Sequence, residues 1–105
     1  MELKITILND NTAGKHTAAE YGLSFLVEGQ EGSYLFDPGP SDIALRNAKV
    51  LGIDLEDAVD TIVLTHGHWD HGDGLEYLSD KKLITHPASF TERYNRVNGH
   101  YNGLP

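Results

Sequence analysis

The chain has no cysteine in its 105 residues, which excludes disulfides and thiolate ligands and leaves any transition metal to histidine and carboxylate. No apolar run is long enough to form a membrane-spanning helix. The opening residues Met1-Glu2-Leu3-Lys4-Ile5 lack the basic start and apolar core of a secretory signal. Basic residues are scarce: 8 Lys and Arg stand against 16 Asp and Glu, a formal charge of −8. That balance argues against nucleic acid or an anionic membrane as a general partner. A phosphate-bearing small substrate stays compatible, because a bound cation dominates the field at its own site. Internal repeats, low-complexity tracts and interdomain linkers are missing as well. The remaining composition, 39% hydrophobic and 23% charged, is that of one small globular domain or part of one, expected in the cytoplasm.

Against this sparse background one stretch stands out. Thr65-His66-Gly67-His68-Trp69-Asp70-His71-Gly72 places three of the six histidines and an aspartate within six positions, directly after the apolar run Thr61-Ile62-Val63-Leu64. Imidazole and carboxylate together suit a borderline divalent ion such as zinc, with iron and manganese also compatible. H-x-H-x-D-H offers more donors than a single tetrahedral ion needs from one loop, so the spacing points to a binuclear site. Alternation in extended chain lets His66 and His68 reach one ion together. Asp70 and His71 lie past the turn and can face a second. Gly67 and Gly72 are expected to let the backbone turn tightly. A short helix is expected over 73–78, with Leu75 and Leu78 as its apolar positions.

The rest of the chain reads as an α/β layout. Residues 3–8 alternate, with Leu3, Ile5 and Ile7 on one side, as in a half-buried strand ended by Asn9-Asp10-Asn11-Thr12. Gly14-Lys15-His16-Thr17 lacks the upstream glycine of a phosphate loop and reads as plain loop, followed by a helical turn over 17–21. Strands at 23–27 and 33–36 flank the hairpin signal Gly29-Gln30-Glu31-Gly32, and Asp37-Pro38-Gly39-Pro40 breaks the second one. Ser41 or Asp42 can cap a helix in which Ile43, Ala44, Leu45, Ala48 and Leu51 recur at helical spacing, with Gly52 as its stop. A connector over 54–58, the motif strand over 60–64, a strand over 82–85, a helix over 87–94 and a loop over 95–105 complete the reading. A hairpin followed by helix, strand, helix and strand gives a sheet carrying helices on one face.

These residues carry a resemblance. H-x-H-x-D-H after an apolar strand is similar to the signature of the metallo-β-lactamase superfamily. Tyr21-Gly22-Leu23-Ser24-Phe25-Leu26-Val27-Glu28, Tyr34-Leu35-Phe36-Asp37-Pro38-Gly39 and Ile84-Thr85-His86-Pro87 extend the likeness. They resemble the dihydropterin-aminobenzene-phosphate synthase-like branch, whose members usually read H-G-L-S-F-L-I-E and L-F-D-T-G at the first two of these. The likeness runs along almost the whole chain but covers only the N-terminal portion of the family's domain. It implies the first half of an αββα sandwich, with residues 1–105 forming one partial domain that lacks the C-terminal half.

The resemblance also implies roles. His66 and His68 would bind a first metal ion, and Asp70 and His71 a second, with Asp70 orienting a metal-bound hydroxide that attacks an ester, amide, thioester or phosphoester. Asp37 would sit beneath the metal loop and orient a ligand histidine by a hydrogen bond. Turn chemistry alone would also place a carboxylate before Pro-Gly. Pro38 stands where the family usually has threonine. His86 reads as a loop histidine on the substrate side, and Trp69 as a residue that lines the pocket mouth or caps the core. His16 and His100 read as solvated surface. Related di-iron proteins carry an acidic residue at the place of His68, so the motif leans towards hydrolysis of a small-molecule substrate rather than redox chemistry. Family members complete the site with a further His, a bridging Asp and another His that have no counterpart motif here. The chain is therefore expected to be a piece of a full enzyme, or to rebuild the sandwich by self-association or with a complementing chain. The alternative is a non-catalytic metal-binding or assembly protein that uses its exposed sheet face. Leu26, Phe36 and Val63 are the residues that an interface on that face would bury.

Overall fold

The computed structural model describes residues 2–12, 14, 16–92, 94 and 98–104. Its centre is a five-stranded mixed sheet in which strand order follows chain order. Strands β1 (Lys4–Asn9), β2 (Ser24–Gly29) and β3 (Gly32–Phe36) run antiparallel, and β4 (Thr61–Val63) and β5 (Lys82–Ile84) continue parallel to β3. The β2–β3 hairpin closes on a two-residue turn, Gln30-Glu31, between paired Gly29 and Gly32. Parallel pairing needs a crossover. Between β3 and β4 it is made by α1 (Ile43–Val50) and the single turn α2 (Leu55–Ala58). Between β4 and β5 it is made by α3 (Trp69–Gly72), which runs straight into a 3-10 segment over Asp73–Tyr77.

Register decides which side chains are covered. Thr6, Leu26, Leu35, Ile62 and Leu83 form one row across the sheet, facing the helices. Leu26, Leu35 and Ile62 from that row pack with Leu8, Ala44, Ala48, Leu55 and Val59 into the core. The neighbouring row, Ile7–Phe25–Phe36–Val63–Ile84, points to the other face, where Ile7 is 54% and Ile84 48% exposed. This is a half-sandwich: α/β, with helices on one face and an apolar face open. Two expectations change as a result. Leu3, Ile5 and Ile7 alternate as anticipated, but all three are exposed, because their side of β1 belongs to the open face. Leu26 is completely buried beneath the helices and cannot belong to an interface on that face, whereas Phe36 and Val63 can.

Several local readings are corrected by packing. Residues 17–21 form no helical turn. Asn47, a polar residue on the buried face of α1, donates from Nδ2 to the carbonyls of Leu8 (2.7 Å) and Ala18 (2.8 Å) and accepts the Ala18 N–H at 2.9 Å, which holds this segment extended. Of the two cap candidates it is the Ser41 hydroxyl oxygen, not Asp42, that accepts the Ile43 N–H. The connector at 54–58 contains α2, capped by the Asp54 carboxylate on the Glu56 N–H. The helix expected over 87–94 is only a 3-10 turn, Pro87–Phe90, after which Thr91 is extended and Tyr94 bridges to Tyr101. Without a longer apolar stripe to bury, so short a helix lacks the tertiary support that would extend it. The loop over 95–105 is described only for 98–104, where Gly103 and Leu104 are buried.

The two sheet faces predict opposite mutational costs. Leu35→Ala, at 0% exposure, is expected to lose about 2–5 kcal/mol in urea denaturation. Ile7→Ala on the open face is expected to change stability by no more than about 0.5 kcal/mol. Comparable losses from both substitutions would show that the open face is covered.

Candidate metal centre

Chemistry-bearing residues collect at the carboxyl ends of the parallel strands, where open α/β sheets place their ligand sites. Asp37 follows β3, Thr65 and His66 follow β4, and His86 follows β5. Asp37 is fully buried and adopts a left-handed backbone conformation (φ 55°), uncommon outside glycine but accessible to aspartate. Its own N–H donates to the Val63 carbonyl at 3.0 Å, so the turn is tied to the end of β4.

Burying a carboxylate is costly unless its oxygens are hydrogen-bonded, and here both are. Asp37 Oδ1 accepts the Thr65 N–H at 2.8 Å. Asp37 Oδ2 accepts the Thr65 hydroxyl at 2.7 Å and His71 Nδ1–H at 2.8 Å. The Thr65 oxygen also lies 2.9 Å from His66 Nδ1. As a carboxylate, Asp37 only accepts, and a threonine hydroxyl has a single proton to give. Once that proton points at Asp37, His66 Nδ1 must donate to Thr65. The chain of bonds therefore protonates both histidines on Nδ1 and leaves both Nε2 lone pairs free.

Asp37, His66 and His71 offer ligand-type atoms within 4.8 Å of one another. The His66 ring centroid lies 4.3 Å from that of His71 and 4.8 Å from that of His68, and His71 Nε2 lies 3.8 Å from Asp70 Oδ2. The four motif side chains thus lie near one another, and of them His66 and His71 bring ligand-type atoms together beside Asp37. Asp37 itself is the poorest ligand of the group, since its oxygens are already occupied by the histidine and threonine donors. Burial lowers the pKa of His66, and the neighbouring His71 and His68 add to the effect, against the opposing pull of Asp37 and Asp70. This favours the neutral imidazole, the form that binds metal. The donor set and its tautomers fit a divalent metal.

Trp69 and Asp70 open α3, so the motif turns helical four residues earlier than its spacing suggested. Gly72 has φ −115°, and its missing side chain serves space rather than a turn: a Cβ there would lie 2.3 Å from Leu104 Cδ2. The motif is clamped on three sides. Gly39 N–H donates to the His71 carbonyl at 3.0 Å and the Gly39 carbonyl accepts Gly74 N–H at 2.7 Å. Trp69 N–H donates to the Asn102 carbonyl at 3.1 Å. On the third side Gly22 (φ 134°) approaches so closely that a Cβ would fall 2.2 Å from the Asp70 carbonyl oxygen. Thr65, Gly22, Asn102 and Leu104 are contributors that motif reading missed. For Thr65 alone a signal existed, a hydroxyl next to the first histidine; the others depend on chain folding back from far away. His86 is not drawn into the cluster. It lies exposed, and its Nδ1 accepts the Ala88 N–H at 3.0 Å as the cap of the 3-10 turn. His16 and His100 are exposed and stand apart.

The metallo-beta-lactamase superfamily model matches residues 18–88, and the chain belongs to that superfamily. It is 41% identical over 95 residues to an uncharacterized protein of Methanocaldococcus jannaschii, covering 86% of this chain and 37% of that protein. From the same organism, 7,8-dihydropterin-6-methyl-4-(beta-D-ribofuranosyl)-aminobenzene-5'-phosphate synthase is 33% identical over 100 residues, covering 84% of this chain and 34% of the synthase. The crystal structure of Tm1679, described as a metal-dependent hydrolase of the beta-lactamase superfamily, superposes with a TM-score of 0.87 at 34% identity, over 99% of this chain and 37% of that one. The chain thus spans about a third of the length of these relatives. Among the described residues no helix is long and apolar enough to cross a membrane.

One electrostatic cost sits beside the cluster. Among the described residues Asp73 Oδ1 is buried without a hydrogen-bond partner, and burial, then Glu76 and Asp70, raise the Asp73 pKa above its ordinary value. A carboxyl whose folded pKa is raised contributes stability below its unfolded pKa and loses it as pH climbs through the folded one. Asp73→Asn is therefore expected to raise the melting temperature of the metal-free protein at pH 7, with the gain shrinking towards pH 4. A gain independent of pH would assign the effect to something other than this charge.

Proposed function

We propose that this chain supplies the histidine-rich metal centre of a metal-dependent hydrolase acting on an ester or phosphoester of a small-molecule substrate. The observation that carries the reading is the bond chain His66–Thr65–Asp37–His71, which spends both Nδ1 protons internally and leaves both Nε2 atoms as ligands. His66 and His68 would hold one ion and Asp70 and His71 a second, with zinc favoured and iron or manganese also accepted by such donors. Bound there, the ions supply Lewis-acid polarisation and a water acidic enough to serve as nucleophile near neutral pH. The chain's own part is orientation. Asp37 holds the His71 ring, Thr65 holds the His66 ring, and Asp70 would orient the attacking water.

A second reading concerns assembly, and the open row Ile7–Phe25–Phe36–Val63–Ile84 favours it. An apolar sheet face of this extent is a surface that proteins cover. We propose that self-association or a complementing polypeptide covers it and brings the donors that complete the coordination of each metal. If assembly without catalysis is the whole role, zinc binding would persist with no hydrolysis.

Native mass spectrometry of the zinc-loaded chain reads both proposals at once, and two zinc ions per chain in an oligomer is the expected result. Asp37→Asn should lower the urea midpoint and weaken zinc about 10–100-fold in a chelator competition, because an amide N–H then meets a donor and the His71 ring loses its orienting acceptor. Unchanged zinc affinity in this variant would overturn the assigned role of Asp37, and absence of zinc from the wild type would overturn the metal reading.

A further inference from the structure

Tyr21 and Trp69 flank the histidine turn in the chain, Trp69 within the motif and Tyr21 next to Gly22, which meets the Asp70 carbonyl. Trp69 is the single tryptophan of the chain and stands between His68 and Asp70. Its ring is 39% exposed, and Tyr21 is 65% exposed. The two rings pair with centroids 6.3 Å apart and planes inclined by 29°. Neither belongs to the hydrophobic core.

The backbone next to both aromatic residues is tied by hydrogen bonds. The residues on both sides of Tyr21 are pinned: Glu20 N–H donates to Asn9 Oδ1 at 3.3 Å and Gly22 N–H to Asn11 Oδ1 at 3.1 Å. Gly22 itself presses on the Asp70 carbonyl. The Trp69 backbone is held by Asn102. Three separate parts of the chain thus fix two half-wet rings against the turn that carries the metal donors. Packing does not require this, since both rings leave much of their surface in water. A preorganised aromatic surface next to a reactive centre is what binds a flat ring at low entropic cost.

We propose that Tyr21 and Trp69 form a platform for a planar aromatic or heteroaromatic ring of the substrate, placing the group to be cleaved over His66, His68, Asp70 and His71. Insertion between the two rings would need a separation of about 7–8 Å, two van der Waals contacts. At 6.3 Å the pair is too close for that, so the ligand stacks on an outer face. The surrounding charge narrows the class further. Glu20 adjoins Tyr21, Asp70 adjoins Trp69, and Asp73 and Glu76 follow on the same turn, which favours a neutral or electron-poor ring over an anionic one. The assignment of substrate class rests on the hydrolase reading, whereas the ring-binding surface stands without it.

The test uses two neutral probes of one carbon frame, 2-naphthamide and its decahydro counterpart, with the metal-free and zinc-loaded chain. The single indole N–H resonance of Trp69 reports the contact, and calorimetric titration gives the affinities. The flat probe is expected to bind about two- to ten-fold more tightly than the saturated one and to shift the indole resonance. The preference should vanish in Trp69→Leu and Tyr21→Leu, each checked for an unchanged urea midpoint, and persist in Tyr21→Phe, which keeps the ring should the leucine variants fail to fold. Equal affinity for the two probes, or a preference that survives loss of either ring, would overturn the proposal. Preference in the metal-free chain decides this inference alone, and failure of zinc to bind would count only against the hydrolase reading.

Discussion

A single buried carboxylate organises this molecule. Asp37 lies at the end of β3 with no exposed surface, and its oxygens collect the Thr65 N–H, the Thr65 hydroxyl and the His71 ring. Removing one donor would leave a charged oxygen partly unpaired in the interior, a penalty far larger than the net gain of an ordinary hydrogen bond. The same three contacts define which nitrogen each histidine presents. Stability and metal chemistry therefore rest on the same few bonds, and an uncommon backbone conformation at Asp37 is tolerated to make them.

Around this centre the chain is tied back by polar side chains in loops. Asn9, Asn11 and Asn47 convert residues 18–22 from a free connection into a wall against the metal turn. Gly39 and Gly74 let the Asp37 turn and the motif turn interlock at backbone distance, since a Cβ on Gly74 would meet the Pro38 carbonyl oxygen at 2.4 Å. Pro38 is buried in that contact. The half-sandwich supports the site from one face only, and Ile7 and Ile84 of the other row stay exposed.

Periodicity and turn chemistry made much of this legible. The five strands, the β2–β3 hairpin and α1 all fall close to where alternation, Gly signals and helical spacing placed them. The histidine motif brings its side chains near one another because H-x-H-x-D-H is local and dense. What local reading cannot supply is which face of a strand finds cover. Leu3, Ile5 and Ile7 alternate as a half-buried strand should, yet it is the opposite side, with Leu8, that meets the helices. Leu26 was misplaced for the same reason, since one step of register moves a residue to the other face. Asn47 was invisible because a polar residue in a helical stripe looks like solvent, until its partners at Leu8 and Ala18 are known. The docking of Asn102 and Leu104 on the motif turn depends on contacts some thirty residues away in sequence.

The account stands or falls on the protonation pattern of two imidazole rings. A long-range proton–nitrogen correlation spectrum of the metal-free, nitrogen-15-labelled protein at neutral pH reads each ring directly. The structure predicts His66 and His71 protonated on Nδ1, with the nitrogen signature of a bare lone pair on Nε2. Either ring carrying its proton on Nε2 would contradict the bond chain through Asp37, and with it the arrangement that makes this cluster a metal centre.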